Sequence, residues 1–204
     1  MELTEIIRKR RMVRNYRSDP VDPQVVDRIV AVARRAPSAG FSQGQSFIVV
    51  TDPTTRRAIA DLADEPEYVA QGFDPWMSRA PVHVVVCVSE TDYHQRYQEP
   101  DKVTAEGDEI DWPVPYWFVD AGASLMLLLL AAVDQGLGAG FFGVHRLPGL
   151  KDLLGIPADV TPIGVVTLGH PAPDRASGSL RRGWRKIAQV VHHERWTTPP
   201  SPSG

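Results

Sequence analysis

The chain has 204 residues, and 22 Lys and Arg against 25 Asp and Glu leave a formal net charge of -3. With 43% hydrophobic residues, a chain of this length builds a single domain around its own core. Its mildly acidic balance excludes a protein that coats a polyanion such as nucleic acid. The single cysteine, Cys87, cannot close an internal disulfide, and in the apolar run VHVVVCVS it reads as a buried, inert thiol. The opening MELTEIIRKRR has no apolar stretch after its charges, unlike a secretory leader. The longest apolar run, AGASLMLLLLAAV at 121–133, is too short for a bilayer and reads as a core helix. The expectation is a soluble, cytoplasmic protein with neither membrane nor nucleic acid as a partner.

Residues 2–11 place Leu3, Ile6 and Ile7 on one face and predict a short amphipathic helix. Asp22 followed by Pro23 opens a second helix, in which Val25, Val26, Ile29, Val30 and Ala33 recur at helical spacing. APSAGFSQGQ, 36–45, is a loop of turn formers, and SFIVVTD, 46–52, a buried strand. Asp52 with Pro53 starts a third helix through TTRRAIADLAD. PVHVVVCVS, 81–89, is an unbroken β-branched run and predicts a strand buried on both faces. Residues 90–118 are polar, acidic and aromatic at once, which suits an inserted lid better than disorder. A long apolar helix is expected from about Pro115 to Gln135, then a strand in LGAGFFGV, a short helix in LPGLKDLLGIP and a strand in TPIGVVTLGHP. From LRRGWRKIAQVVHHERW onward the chain is basic and extended, and 197–204 is a loose end. Strands separated by helices make an α/β or an α+β sandwich around a modest sheet.

RKRRMVR, 8–14, holds five Arg or Lys in seven positions. Two readings are open: a solvated helix end complementing the dipole, or a clamp whose planar Arg forks grip phosphate oxygens. A second basic group, Arg181, Arg182, Arg185 and Lys186, suggests that both converge on one small anion. The small residues of 36–45 and of GLGAGFFGV would let backbone approach a planar ligand, with tight turns alone as the alternative. Neither a dinucleotide fingerprint nor a P-loop is present. The six histidines lack paired-ligand spacing, and no nucleophile elbow exists, so no metal site or triad is expected. Chemistry without evident nucleophile, metal or acid–base pair is expected to come from a cofactor.

The stretch RRMVRNYRSDPVDPQVVDRIVAVARRAPSAGFSQGQSFIVV, the apolar helix, GLGAGFFGV and LRRGWRKIAQVVHHERW come in an order that resembles the nitroreductase family of flavin enzymes. The resemblance runs over roughly residues 3–196. It implies an α+β fold, a three-layer sandwich whose mostly antiparallel central sheet is flanked by helices, in an intertwined homodimer. One FMN-binding domain would span 1–196, with the lid insertion at about 90–118 and a last strand in the tail. FMN would lie at the dimer interface, with NAD(P)H as reductant. Arg10, Arg11 and Arg14 would meet the FMN phosphate, ribityl chain or pyrimidine edge, Met12 would contribute backbone, and Arg185 would reach the phosphate. Pro37, Ser38, Ala39 and Gln43 of the partner subunit would pack near the isoalloxazine. Gly143 and Val144 would offer a backbone N–H to flavin N5.

No catalytic side chain is implied, because the chemistry belongs to the flavin. Hydride would pass by a ping-pong mechanism to an electron-poor acceptor, a nitroaromatic or quinone, surrounded by Phe41, Tyr97, Lys102 and Trp112. Two alternatives stand beside this: a dehalogenase-like enzyme using Tyr97, Glu99 and Lys102 of the lid, and a flavin- or deazaflavin-binding protein with little turnover. Many members carry Ser or Thr at the position of Met12, Asn at Phe41, and Pro-Trp at Gly44-Gln45. These departures bear on the substrate rather than on the fold.

Overall fold

Local signals decide where most elements begin. α1 (Leu3–Lys9) buries only Ile6. α2 (Pro23–Ala33) starts where the Asp22 carboxylate accepts from the Gln24 amide at 2.9 Å and Pro23 takes the first helical position. β1 (Gln45–Val50) leads to α3 (Pro53–Leu62), which repeats the Asp-Pro start with Asp52 accepting from the Thr55 amide at 2.7 Å. Then follow α4 (Glu65–Ala70), α5 (Trp76–Arg79), β2 (Val82–Ser89), α6 (Glu90–Tyr97), α7 (Tyr116–Asp134), β3 (Gly138–Gly143), α8 (Leu150–Leu154) and β4 (Val160–Gly169). This computed structural model describes residues 1–175 and 177–197. The body is Met1–Asp174, and the stretch from Arg175 onward forms a separate unit.

The four strands make one sheet in the order β1-β2-β4-β3, and every pair is antiparallel. All eight residues of β2 are buried, with successive side chains facing opposite layers. Val85 and Cys87 join Ile59, Ala60, Trp76 and Met77 of α3 and α5. Val82, Val84 and Val86 join Val26, Ile29, Leu128 and Ala132 of α2 and α7. This is the three-layer α+β sandwich, and helices on both faces explain why β2 reads as a continuous apolar run. The β2–β4 register shifts between Val86 and Cys87, where Cys87 faces Pro162, a residue with no N–H to donate. Cys87 is the inert core thiol expected, since burial pushes it up to about 11.

Polar groups inside the body are spent on joints. Glu65, 2% exposed, accepts the Met77 and Ser78 amides at 2.7 and 2.9 Å and so ties α4 to the first turn of α5. His83 faces the Met77 carbonyl at 2.8 Å, and burial lowers its pKa to about 4, which keeps it neutral. Among the described residues α7 is the one helix long and apolar enough to cross a membrane. Leu128, Leu129, Ala131 and Ala132 nevertheless pack it into the core, while Phe118, Val119 and Met126 stay exposed.

Residues 12–16 run extended along the outer edge of β3. Met12 bridges Ala139 in the parallel sense, and the Val13 amide donates to the Ala139 carbonyl at 2.9 Å. Gly140 permits the approach, because a Cβ there would lie 2.5 Å from the Val13 carbonyl oxygen and 2.7 Å from Thr167 Oγ1. The Tyr16 hydroxyl, 2.7 Å from Thr167 Oγ1, fixes the far end of the segment.

In the separate unit, Gly178–Arg182 and Ile187–Gln189 are 3-10 turns, and no strand occurs among the described residues, which corrects the expected last strand. A strand needs a neighbour to take its backbone groups, and here they close locally, with the Gln189 amide on the Lys186 carbonyl at 2.9 Å. Of the expected loose end at 197–204, residues 198–204 lie outside the described residues.

Gly140→Ala should lower stability to denaturant by about 1–3 kcal/mol through overpacking against fixed backbone. Gly122→Ala in α7, where nothing lies within 4 Å of the added Cβ, should instead stabilise by up to about 1 kcal/mol. Parallel urea titrations of the two variants check the contrast.

Candidate functional site

The basic cluster straddles the end of α1. Arg8 and Lys9 lie in its last turn, and the backbone turns extended at Arg10. Arg11 pairs with the Asp174 carboxylate, whose second oxygen accepts from the Arg14 amide at 2.7 Å. One carboxylate thus orders residues 11–14. Among the described residues, the Arg10 and Arg14 guanidiniums have no ion-pair partner.

Arg14 lines a cavity of about 220 Å³ with Trp76, Met77, Phe141, Phe142 and Gly143, below the ~300–1,000 Å³ of a complete small-molecule pocket. Trp76 and Phe142 meet edge to face, with ring centroids 5.6 Å apart. The Trp76 indole is 2% exposed, and its N–H has no partner. Such an orphan costs free energy unless a ligand or water takes the bond. Gly143 closes β3 and Val144 opens the 3-10 turn Val144–Arg146 at the mouth of this edge. Flat apolar walls, the free Trp76 N–H and an unpaired guanidinium fit part of a planar, anionic cofactor. Trp76 and Phe142 were not singled out in the sequence; only an isolated tryptophan in the otherwise polar FDPWMSR stretch hinted at them.

Pro37, Ser38, Ala39, Phe41 and Gln43 form a second group, on the loop that enters β1. Gly40, Phe41 and Gln43 all have left-handed φ, at 59°, 60° and 54°. For the two that carry side chains this is strain, sustained only by surroundings that over-determine it. Inside the loop the Gln43 amide donates to Ser38 Oγ at 2.9 Å, and Ser42 Oγ donates to the Ala39 carbonyl at 2.7 Å. The Phe41 side chain is 74% exposed.

The loop glycines seat the rings of the lid. A Cβ on Gly40 would lie 2.6 Å from the Tyr97 ring, and one on Gly44 would lie 2.8 Å from the Tyr93 ring. Tyr93 and Tyr97 are four residues apart on α6, hence on one face, and match two glycines with the same separation. Gly40 and Gly44 thus fit the loop to the protein's own helix.

The lid begins as α6, and the rest folds back on it. Trp112 meets the rings of Tyr97, Trp117 and Tyr93 at centroid distances of 4.6, 5.7 and 6.2 Å. Lys102 stands 5.8 Å over the Tyr97 ring. Arg96 forks onto both Asp101 oxygens at 2.7 Å and holds that carboxyl down to about 2. Trp112 Nε1 donates to Glu109 at 2.6 Å, and His94 Nδ1 lies 2.5 Å from the same oxygen. Tyr97, Lys102 and Trp112 are therefore one cluster, resting on the loop of Phe41.

One chain does not bring the two groups together. β1 and β3 are opposite edges of the sheet, three strand spacings or about 14 Å apart. Arg185 belongs to the separate unit, where its guanidinium donates to the Gln189 carbonyl at 2.6 Å.

The Glu109 hydrogen bond raises the His94 pKa above its ordinary 6.5. Burial pushes Glu109 up, but bonds from Trp112, His94 and Gln98 outweigh it and leave Glu109 below its ordinary 4.5. His94 therefore contributes stability that is complete below 6.5 and lost as pH rises through its raised value. Glu109 contributes stability that is lost as pH falls through its lowered value. An NMR titration of the His94 ring should show a midpoint above 6.5 that returns toward it in Glu109→Gln. A wild-type midpoint at 6.5 would show that the latch does not form.

A family model described as the nitroreductase family matches residues 7–170. An NAD(P)H-linked FMN reductase of Bacillus subtilis is 30% identical over 189 residues, covering 88% of this chain and 70% of that protein. An oxygen-insensitive NADPH nitroreductase of Salmonella typhimurium is 28% identical over 201 residues, covering 96% of this chain and 74% of that protein. The fold is shared with a nitroreductase family protein of Streptococcus pneumoniae, at a TM-score of 0.73 and 21% identity over 95% of this chain and all of that one (100%). With the split site on the two edges of its antiparallel sheet, the chain belongs to the nitroreductase family.

Proposed function

We propose that this chain, an FMN-dependent NAD(P)H oxidoreductase, works as a cytoplasmic homodimer that passes hydride from NAD(P)H to an electron-poor acceptor, a nitroaromatic or quinone, in ping-pong order. The observation that carries this reading is the division of the site residues between opposite sheet edges, with a cavity too small for a whole cofactor on one of them. A second copy supplies the missing half. The exposed apolar side chains Phe118, Val119 and Met126 of α7, with Leu3 and Ile7 of α1, support a surface for that copy.

Bound FMN supplies the redox chemistry, hydride uptake and delivery at one ring. The chain supplies the grip and the electrostatics. Arg10 and Arg14 would hold the phosphate dianion and the pyrimidine edge with cations that no carboxylate of the body neutralises. Arg11, through Asp174, orders the backbone of Met12 and its neighbours for the same task. Backbone N–H groups at Gly143 and Val144, fixed at the end of β3, stand ready for the polar edge of the ring without reorganising during reaction. Pro37, Ser38, Ala39 and Gln43 of the partner subunit cover the ring, and Phe41, Tyr97, Lys102 and Trp112 border the acceptor.

FMN-loaded protein should lose its yellow colour within seconds when NADH or NADPH is added without oxygen, and regain it on adding a quinone. Colour that neither nicotinamide removes overturns the reductase reading. Arg10→Ala combined with Arg14→Ala should weaken FMN binding by roughly tenfold to a hundredfold per lost charged hydrogen bond, read by flavin fluorescence titration. Light scattering should give the mass of two chains.

A further inference from the structure

Asp120 lies in α7 at 8% exposure with no cation in contact among the described residues. A carboxyl group at that depth is costly unless its oxygens are used. One of them, Oδ2, accepts two hydrogen bonds: from the Ala39 amide at 2.8 Å and from the Tyr93 hydroxyl at 2.9 Å. The Ala39 bond enters the strained loop just before its left-handed pair, Gly40 and Phe41. Just after Ala39, the Gly40 carbonyl accepts from Arg96 Nε at 2.9 Å. These two bonds tie the turn to helices outside the loop, one to α7 and one to α6. Tyr93 and Arg96 both belong to α6, so the lid helix takes part in both ties.

We propose that Asp120 is a positioning residue for the cofactor-facing loop: together with Arg96 it fixes the turn at Gly40–Phe41, and through Tyr93 it makes that turn follow the lid helix. The role rests on the reading that Pro37, Ser38 and Ala39 of the partner subunit meet the flavin. A loop left without its ties relaxes from φ values that Phe41 and Gln43 do not otherwise adopt. Its contact with the ring then loosens, and the ring's acceptor face loses its border. The same linkage gives the lid a path to the flavin, since an acceptor that moves α6 pulls on Ala39 through Tyr93 and Asp120, and on Gly40 through Arg96.

The test compares FMN-loaded wild type with Asp120→Asn, Asp120→Ala, Ala39→Pro and Tyr93→Phe, measuring FMN affinity, kcat and KM for a quinone, and melting temperature. Ala39→Pro removes the donor N–H and sets the ring Cδ against the Asp120 oxygen, so the tie is broken from the loop side with Asp120 left in place. Ser38 at φ -138° and ψ 142° is already in the region a residue before proline requires, and the first position of a helical turn accepts proline. Asp120→Ala and Ala39→Pro should each weaken FMN binding and lower kcat/KM by roughly tenfold or more, the loss of one hydrogen bond to a charged group. Asp120→Asn keeps an acceptor oxygen and should stay within about threefold of wild type, and Ala39→Pro, which leaves the Asp120 side chain unaltered, separates the bond from the packing of that side chain. Tyr93→Phe should raise the quinone KM and leave FMN affinity unchanged. Should Asp120→Ala fail to fold, Ala39→Pro carries the test. Wild-type affinity and kinetics in Ala39→Pro, or Asp120→Asn as impaired as Asp120→Ala, overturn the positioning role while FMN binding stands. A wild-type protein that takes up no FMN overturns the cofactor reading and this role with it.

Discussion

A four-stranded sheet buried on both faces leaves nothing but its edges and ends free to meet a ligand. β2 commits eight consecutive side chains to the two helical layers, and that burial is the dominant favourable term in a domain of this size. The cost is paid in location, since any site must be assembled where the sheet stops. One edge carries the extended segment 12–16 with its arginines; the other carries the strained loop and the lid above it. The cavity at the β3 edge, about 220 Å³, is below the size of a complete small-molecule pocket.

Charge follows the same logic of locality. The N-terminal cluster looks excessive in an acidic chain until its members are separated. Asp174 takes Arg11 and, with its other oxygen, the Arg14 backbone, so one acidic group organises the segment while leaving Arg10 and Arg14 unpaired. In the lid, by contrast, Arg96 is saturated by Asp101, Glu99 and the Gly40 carbonyl and acts as a structural joint. Cations of one kind therefore divide into paired and unpaired ones according to which carboxylates the fold brings beside them.

The departure at Gly44 also finds a physical account. Gly44 lies against the Tyr93 ring and the Ser89 carbonyl, so a larger residue there would displace α6. The loop and the lid are consequently one unit of packing. Tyr97, Lys102 and Trp112 lean on it as a cluster, with Phe41 left exposed beside them.

The sequence alone determined the parts of the structure that depend on near neighbours. Asp-Pro starts placed α2 and α3, the unbroken β-branched run marked β2 as buried on both faces, and apolar continuity marked α7, because caps, φ restriction and burial periodicity act within a few residues. The ordered motifs were enough to point to the family. What the tertiary structure decided were pairings across long separations: Arg11 with Asp174, Ala39 with Asp120, Gly40 with Tyr97, and Trp76 beside Arg14. It also removed a strand from the tail, since a strand exists only where another chain segment takes its hydrogen bonds. The same rule covers every miss: an isolated Asp, Gly or Trp has no local signature, and its role is set by which residue the fold places opposite it.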